Sequence, residues 1–427
     1  DPLTESQQEQ CQLPLRSGGR GLRSQERLAP AAWVGSWAQC LSEVLARSGV
    51  DSLEDLETSE LPLARACREA LAALPAATAN DRHDEDLPTW RELALEPRKK
   101  VQKTLSRRLD KNNYSSLLGR LGTDDRARLR SCGGPLAAGW QLASPALAAE
   151  RLEDEDYEAT ARTLLGQDLA AADRRTCLNK RKTGPNAGET CGAAVCSKAH
   201  HAHRCSIGGG LKSRSKAEEK VWASIHAECG FQTDSEVHVP AWDRWRWHCL
   251  GADCPARGVA FAPPTAPCGA CGSVLESCRE EALLDLEVRS VEVPRRYLDV
   301  TVRHSVPGNA EHLLRAANAD GVPAREAERE KHLRYPAGRT PSNLVPLAVE
   351  TYGRHGKEAL RYLRKLARKQ ASQLEEGGER AASHLVLRWG CRLSVALHRA
   401  NAANLRRCLG ADLRKAGGRE LACALAG

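Results

Sequence analysis

The sequence predicts an α+β protein: a helical N-terminal region, a central mixed core interrupted by cysteine-rich loops, and helices at the C-terminal end. Three observations predict it. Apolar residues recur at helical spacing from about residue 30 to 169 and again after 353. Between these regions, 282–288, 296–302 and 343–350 are apolar runs of strand length. Ten of the 17 cysteines fall between Cys177 and Cys278.

The 427 residues allow two or three domains of about 100–200 residues each. Residues 1–30 form a polar tract rich in Gly and Arg, containing Leu13-Pro14-Leu15-Arg16-Ser17-Gly18-Gly19-Arg20-Gly21-Leu22. Residues 31–170 read as a helical linker or DNA-binding region, with helices over 31–46, 61–74 and 153–166. A zinc-knuckle-like segment, 171–212, ends in Gly208-Gly209-Gly210. The core, 213–352, then runs helix (216–229), strand (235–239), strand (282–288), strand (296–302), helix (324–334) and strand (343–350), an αβββαβ order, with a ribbon-like insertion at 245–280. Residues 353–427 form a C-terminal helical region.

The formal charge of +8 is compatible with a polyanionic partner, and its distribution says more. One basic stretch runs from Arg98 through Lys99, Lys100, Lys103, Arg107 and Arg108 to Lys111. Another comprises Arg361, Arg364, Lys365, Arg368 and Lys369, with Leu360, Leu363 and Leu366 on a different helical face. Each is either a solvated helix face or a surface for phosphates. No apolar run approaches the roughly 20 residues that cross a bilayer, and no signal peptide is visible. The expectation is an intracellular protein, where disulfides do not persist and clustered cysteines point to metal. A chain without Met that opens on Asp1-Pro2 reads as a piece of a longer product.

Two carboxylates interrupt apolar strands: Asp285 in Leu283-Leu284-Asp285-Leu286-Glu287-Val288, and Asp299 in Tyr297-Leu298-Asp299-Val300-Thr301-Val302. A buried carboxylate is costly unless paired, hydrogen-bonded or bound to metal. Two on neighbouring strands can share an oxygen-preferring cation such as Mg²⁺, which polarises a phosphodiester and acidifies an attacking water. The alternative puts both on a solvent-facing side, beside Glu287 and Thr301. Lys331, in the helix that follows, is the candidate cation for the same site.

Cys177, Cys191, His201 and Cys205 can form a Cys₃His zinc site; Cys191, Cys196, His200 and Cys205 are an alternative set, with His203 a further competitor. Cys249-x4-Cys254 and Cys268-x2-Cys271 have the arrangement of a zinc ribbon, with His248 and Cys278 as spare candidates. Trp242, Trp245 and Trp247, interleaved with Arg244 and Arg246, either stack on bases or pack in the core.

These residues resemble the C-terminal part of the open reading frames of site-specific non-LTR retrotransposons, and in particular the reverse-transcriptase-like proteins abundant in dinoflagellate genomes. Cys191-Gly192, His201 to Cys205 and the three glycines resemble the family's knuckle, and Lys331 to Tyr335 its Lys-x3-Tyr helix end. The tract from Leu13 to Leu22, residues 128–140 and residues 392–403 extend the likeness over most of the chain in patches. The resemblance implies a restriction-endonuclease-like core with Asp285 and Asp299 as metal ligands and Lys331 facing the scissile phosphate. It also implies structural Zn²⁺, catalytic Mg²⁺, DNA and element RNA as partners, an upstream reverse transcriptase, and a nuclear location. Two features depart from the family: Arg214 is followed by Ser215 where the family commonly carries Arg-His, and the 249–271 insertion is unusual; Thr301 also stands where the fold's usual signature has Lys. No Tyr-x-Asp-Asp polymerase motif is present. A non-catalytic, zinc-dependent nucleic-acid-binding remnant is the alternative.

Overall fold

A computed structural model describes residues 2–48, 58–74, 100–169, 175–184, 186–249, 254, 267–290, 294–338, 343–374 and 378–410. Chain contacts divide it into two compact units, the first Asp1–Leu129 with Ala416–Gly427 and the second Arg130–Lys415. The division falls within the long helical stretch read from the sequence. Of the basic residues flagged there, Arg98 and Lys99 lie outside the described residues.

The first unit is helical: α1 (Glu5–Gln12), α2 (Gln25–Ser48), α3 (Pro62–Ala72) and α4 (Val101–Arg120), with α5 (Thr123–Cys132) running across the division. Thr4 caps α1 in a capping box, its side chain accepting from the Gln7 N–H while the Gln7 side chain accepts from the Thr4 N–H. Ala31, Val34, Trp37 and Leu41 of α2 bury against Ala64, Val101, Leu105 and Leu109. The Leu13–Leu22 tract is a tight turn: Gly18 sits at φ 81°, and a Cβ on Gly19 would fall 1.9 Å from the Leu13 carbonyl oxygen.

The second unit carries the mixed core. Its elements are α6 (Asp154–Leu165), β1 (Arg175–Thr176), β2 (Ala194–Val195), α7 (Gly210–Glu228), β3 (Gln232–His238), β4 (Arg244–Cys249), β5 (Leu275–Glu280), β6 (Leu283–Arg289), β7 (Arg296–Arg303), α8 (Ala310–Asn318), α9 (Val322–Arg334), β8 (Asn343–Glu350), α10 (Lys357–Ala371) and α11 (Glu379–Leu409). The principal sheet has the order β3-β6-β7-β8, with β3, β6 and β7 antiparallel and β8 parallel to β7. The parallel pair needs a crossover, which α8 and α9 supply. The α+β class and the αβββαβ order expected from the sequence are both present. The short helix α8 and the hairpin of β4 and β5 are additional to that reading.

On one face of the sheet, Leu286, Val288, Leu298, Val300 and Leu347 pack with Trp222 and Ile225 of α7, Leu363 and Leu366 of α10, and Trp389 and Leu393 of α11. On the other, α9 approaches β8 through small residues, Ala324 and Ala327 against Ala348. Pro346, in register with Asp299, is tolerated because β8 is the outer strand of this sheet. Buried Arg214 joins α7 to three other segments: its guanidinium donates to the His203 carbonyl at 2.7 Å, Thr351 Oγ1 at 3.0 Å and Asn401 Oδ1 at 3.4 Å.

Candidate functional site

Asp285 and Asp299 sit where the β6–β7 ladder ends. Leu286 pairs with Leu298, Glu287 with Tyr297 and Val288 with Arg296. One step further in this register would set Asp285 opposite Asp299. Instead the Asp285 carboxylate takes the place of a strand partner, accepting the Val300 N–H at 2.7 Å. Asp299 points to the α9 face, where Lys331 Nζ lies 2.7 Å from Oδ1 and 2.9 Å from Oδ2. The three residues chosen from sequence as a catalytic group thus come together, and Asp299 is buried rather than solvent-facing.

The electrostatics are those of crowded acids. Burial pushes Asp299 up to about 6, and the neighbouring Asp285 adds to this, against the opposing pull of Lys331 and Tyr335. Asp285 is raised chiefly by burial, and further by Glu236, while the Val300 N–H, Lys331 and Lys216 draw it down. Tyr335 itself is pushed up to about 12 by burial, so it remains a hydroxyl donor.

Two further acids complete the group. Glu219 of α7 is buried, bonded to Lys216 Nζ at 2.9 Å, and raised by burial and by the Asp285 charge. Glu236 of β3 lies between the pairs Ser235–Leu286 and Val237–Leu284, hence across from Asp285. Its φ of 53° is a left-handed conformation inside a strand, the kind of local strain that clusters at functional sites. Lys212 at 3.3 Å and Lys216 at 3.2 Å hold its carboxylate. The sequence reading missed Glu219, Glu236 and Lys216. A weak signal for Glu219 is its position three residues before core Trp222, where an apolar residue belongs.

Among the described residues, two sets of four side chains bring their ligand atoms within 4.8 Å of one another: Cys177, Cys191, His201 and Cys205, and Cys249, Cys254, Cys268 and Cys271. Either can hold a metal ion such as zinc. Arms of about 2.3 Å from zinc to sulfur give tetrahedron edges of about 3.8 Å, slightly shorter to nitrogen. In the first set Cys177 and Cys205 are 3.8 Å apart, and Cys191 Sγ is 3.5 Å from His201 Nε2. In the second, Cys249 to Cys271 is 3.3 Å and Cys254 to Cys268 is 3.6 Å.

Backbone hydrogen bonds shape the first site: the Cys177 N–H donates to the Ala193 carbonyl, the Cys191 N–H to that of Asn179 and the Gly192 N–H to that of Cys177. The competing residues are used otherwise. Cys196 is exposed and accepts the His200 N–H, while the buried His203 ring lies against those of His304 and Tyr352. At the second site the β4–β5 hairpin delivers Cys249 at the end of one strand and the Cys268–Cys271 turn just before the other. The Ser273 hydroxyl, followed by its N–H, draws Cys271 down to about 6, and the Ala270 N–H lowers Cys268. His248 and Cys278 face each other across the hairpin at 3.0 Å, outside the set of four.

The tryptophans divide. Trp242 is buried, donates Nε1–H to the Pro336 carbonyl at 3.0 Å and packs against the Tyr297 and Tyr335 rings. Trp245 is 56% exposed, on the same hairpin as Arg244 and Arg246, which both bind Glu280. Among the described residues, no helix is long and apolar enough to cross a membrane. Comparison with protein-family models and with curated proteins finds no match to this chain.

Proposed function

We propose that the second unit is a retroelement-type, restriction-endonuclease-like DNA endonuclease module that nicks its target by metal-assisted phosphodiester hydrolysis. One observation carries the reading: two carboxylates on adjacent strands, one of them bonded to a lysine of the crossover helix. The order of helix, three strands, helix and a parallel fourth strand supports it, being the order that the sequence resemblance implies.

The donor set fits a hard divalent cation. Mg²⁺ binds through one or two carboxylates and keeps several waters, and Asp285 and Asp299, the first raising the cost of ionising the second, would hold it. Bound there, it supplies Lewis-acid polarisation and a more acidic water. The remaining work falls to side chains. Lys331, 27% exposed, presents its ammonium at the open side of the site, suited to a phosphoryl oxygen. Tyr335 hydrogen-bonds Asp299 and fixes its carboxylate. Glu219 and Glu236 are positioned by Lys216 and Lys212 to complete the acidic wall. The two cysteine sites hold the loops that contact DNA. In this reading the partners are DNA and element RNA, with a reverse transcriptase upstream, and the place of action is the nucleus.

A nicking assay on supercoiled and linear DNA with Mg²⁺ or Mn²⁺ tests the proposal. Wild-type protein should cleave, and Asp299→Ala should not; wild-type rates in Asp299→Ala overturn the assignment. Thr301, where a lysine is usual, favours a second reading, a binding protein without catalysis. Salt-sensitive DNA binding with no cleavage under any metal would decide for it.

A further inference from the structure

The last helix brings an additional thiol to the first metal site. Cys408, near the end of α11, has its Sγ 3.5 Å from Cys177 Sγ across 231 residues of chain. Both sulfurs are fully buried, in an apolar cluster with Leu405 and Leu409 of α11, Cys205, Ala199 and Ala202. A second contact fixes the same two segments: the Leu178 N–H donates to the Cys408 carbonyl at 2.9 Å. That carbonyl belongs to the last turn of α11, whose acceptors have no partner within the helix.

Zinc takes four ligands, and the set within mutual reach is Cys177, Cys191, His201 and Cys205. Cys408 is therefore left as a thiol beside a sulfur that a metal would make a thiolate. A thiol is a weak donor, and a metal-bound thiolate is an acceptor that gains from one. We propose that Cys408 completes the first metal site from outside, its S–H donating to the Cys177 sulfur, so that the bound metal locks the end of α11 onto the knuckle. The metal thereby ties together segments that begin and end the second unit's core, because α11 also packs along α7, α10 and α6. This inference does not depend on nuclease activity.

Cobalt(II) substitution tests it on the whole chain. The charge-transfer band reads the thiolates bound, three at the first site and four at the second. In Cys408→Ala the band per cobalt should be unchanged, while metal passes from the first site to a chelator about 10-fold faster, if the roughly 10-fold loss of affinity usual for removing an outer partner of a ligand is expressed in release. Cys408→Ser, which keeps a donor, should lie between. Loss of one thiolate's share of the band would make Cys408 a ligand and overturn the proposal, as would release at the wild-type rate.

Should the variants fail to fold, alkylation of the native wild-type protein gives the answer. Cys408 should be protected when metal is bound and labelled together with Cys177 once it is stripped. Equal labelling of Cys408 with and without metal overturns the proposal.

Discussion

In Asp299→Asn the side chain keeps its shape and loses its charge, so the substitution isolates what ionisation costs at a buried position. Burial holds the Asp299 carboxyl at about 6 against an ordinary 3.8, even with Lys331 beside it. Below both values folded and unfolded chains are protonated alike, and the group has no effect. Between them the unfolded chain gives up its proton first, so stability is lost as pH rises, until the folded carboxyl also ionises. At about 1.36 kcal/mol per pH unit, the penalty is about 1.5 kcal/mol at pH 5 and levels off near 3 kcal/mol by pH 8. Asn carries no such penalty. Urea unfolding of wild type and variant in parallel should therefore find the variant more stable, by a margin that grows from about pH 5 to 7 and then stays flat. Taking the difference at each pH removes the common effect of acid on the metal sites. Saturating Mg²⁺, by favouring the ionised carboxylate, should narrow the margin. A variant less stable than wild type at pH 8 would mean that Asp299 is an ordinary ion-paired carboxylate, and a margin independent of pH would mean that burial does not shift it; either would refute the reasoning.

The other expectations follow from burial and charge. Native protein should carry two zinc ions per chain by elemental analysis, and a chelator should take that of the second site first, because Cys271 is exposed while Cys177 and Cys205 are buried. A single release phase would contradict the difference in burial. Lys357, Arg361, Arg364 and Lys365 on the outer face of α10 have no carboxylate within salt-bridge reach among the described residues. If this face meets DNA phosphates, reversing Arg361, Arg364 and Lys365 to Glu should reduce the log–log salt slope of binding by about 3, measured by fluorescence anisotropy. An unchanged slope would make it a solvated face. Trp245→Ala should weaken single-stranded DNA binding by about 1–3 kcal/mol without changing the urea midpoint, whereas Trp242→Ala should cost about 3–5 kcal/mol of stability; the reverse pattern would exchange the roles given to the two rings.

The parts of this fold that could be read from sequence are those written in local pattern. β6, β7 and β8 are apolar runs whose charged residues lie at the strand ends apart from Asp285, Glu287 and Asp299, so strand and candidate site announce themselves together. The four cysteines of the second site are legible because two short spacings bracket a loop. The hairpin that presents them is less so: Arg-Trp-Arg-Trp-His-Cys alternates between large side chains, without the apolar alternation that marks a half-buried strand. Other features depend on tertiary structure. Nothing near Cys408 suggests Cys177, 231 residues away. The choice of His201 over His200 follows from a single helical turn that turns one ring to Cys191 and the other toward Tyr352. The strained backbone at Glu236 has no signature in a residue that adopts φ > 0 only under constraint.

The precision of the acidic site is a consequence of the apolar face behind it. Leu298 and Val300 flank Asp299 and point into the core with Trp222, Leu363 and Trp389, while Asp299 turns to α9. Side chains alternate along a strand, so a slip of one residue would bring the carboxylate among those rings and expel two core residues. That cost excludes the slipped register, and eight consecutive parallel pairs with β8, Asp299 against Pro346 among them, hold β7 against sliding along its length. Lys331 is fixed independently, since α9 rests on β8 through Ala324, Ala327 and Ala348, where no longer side chain stands between helix and strand. The acid and the lysine are each placed by packing rather than by their own attraction. Under the proposed function, the frame would therefore stand unchanged if a cation or a substrate phosphate displaced the ion pair.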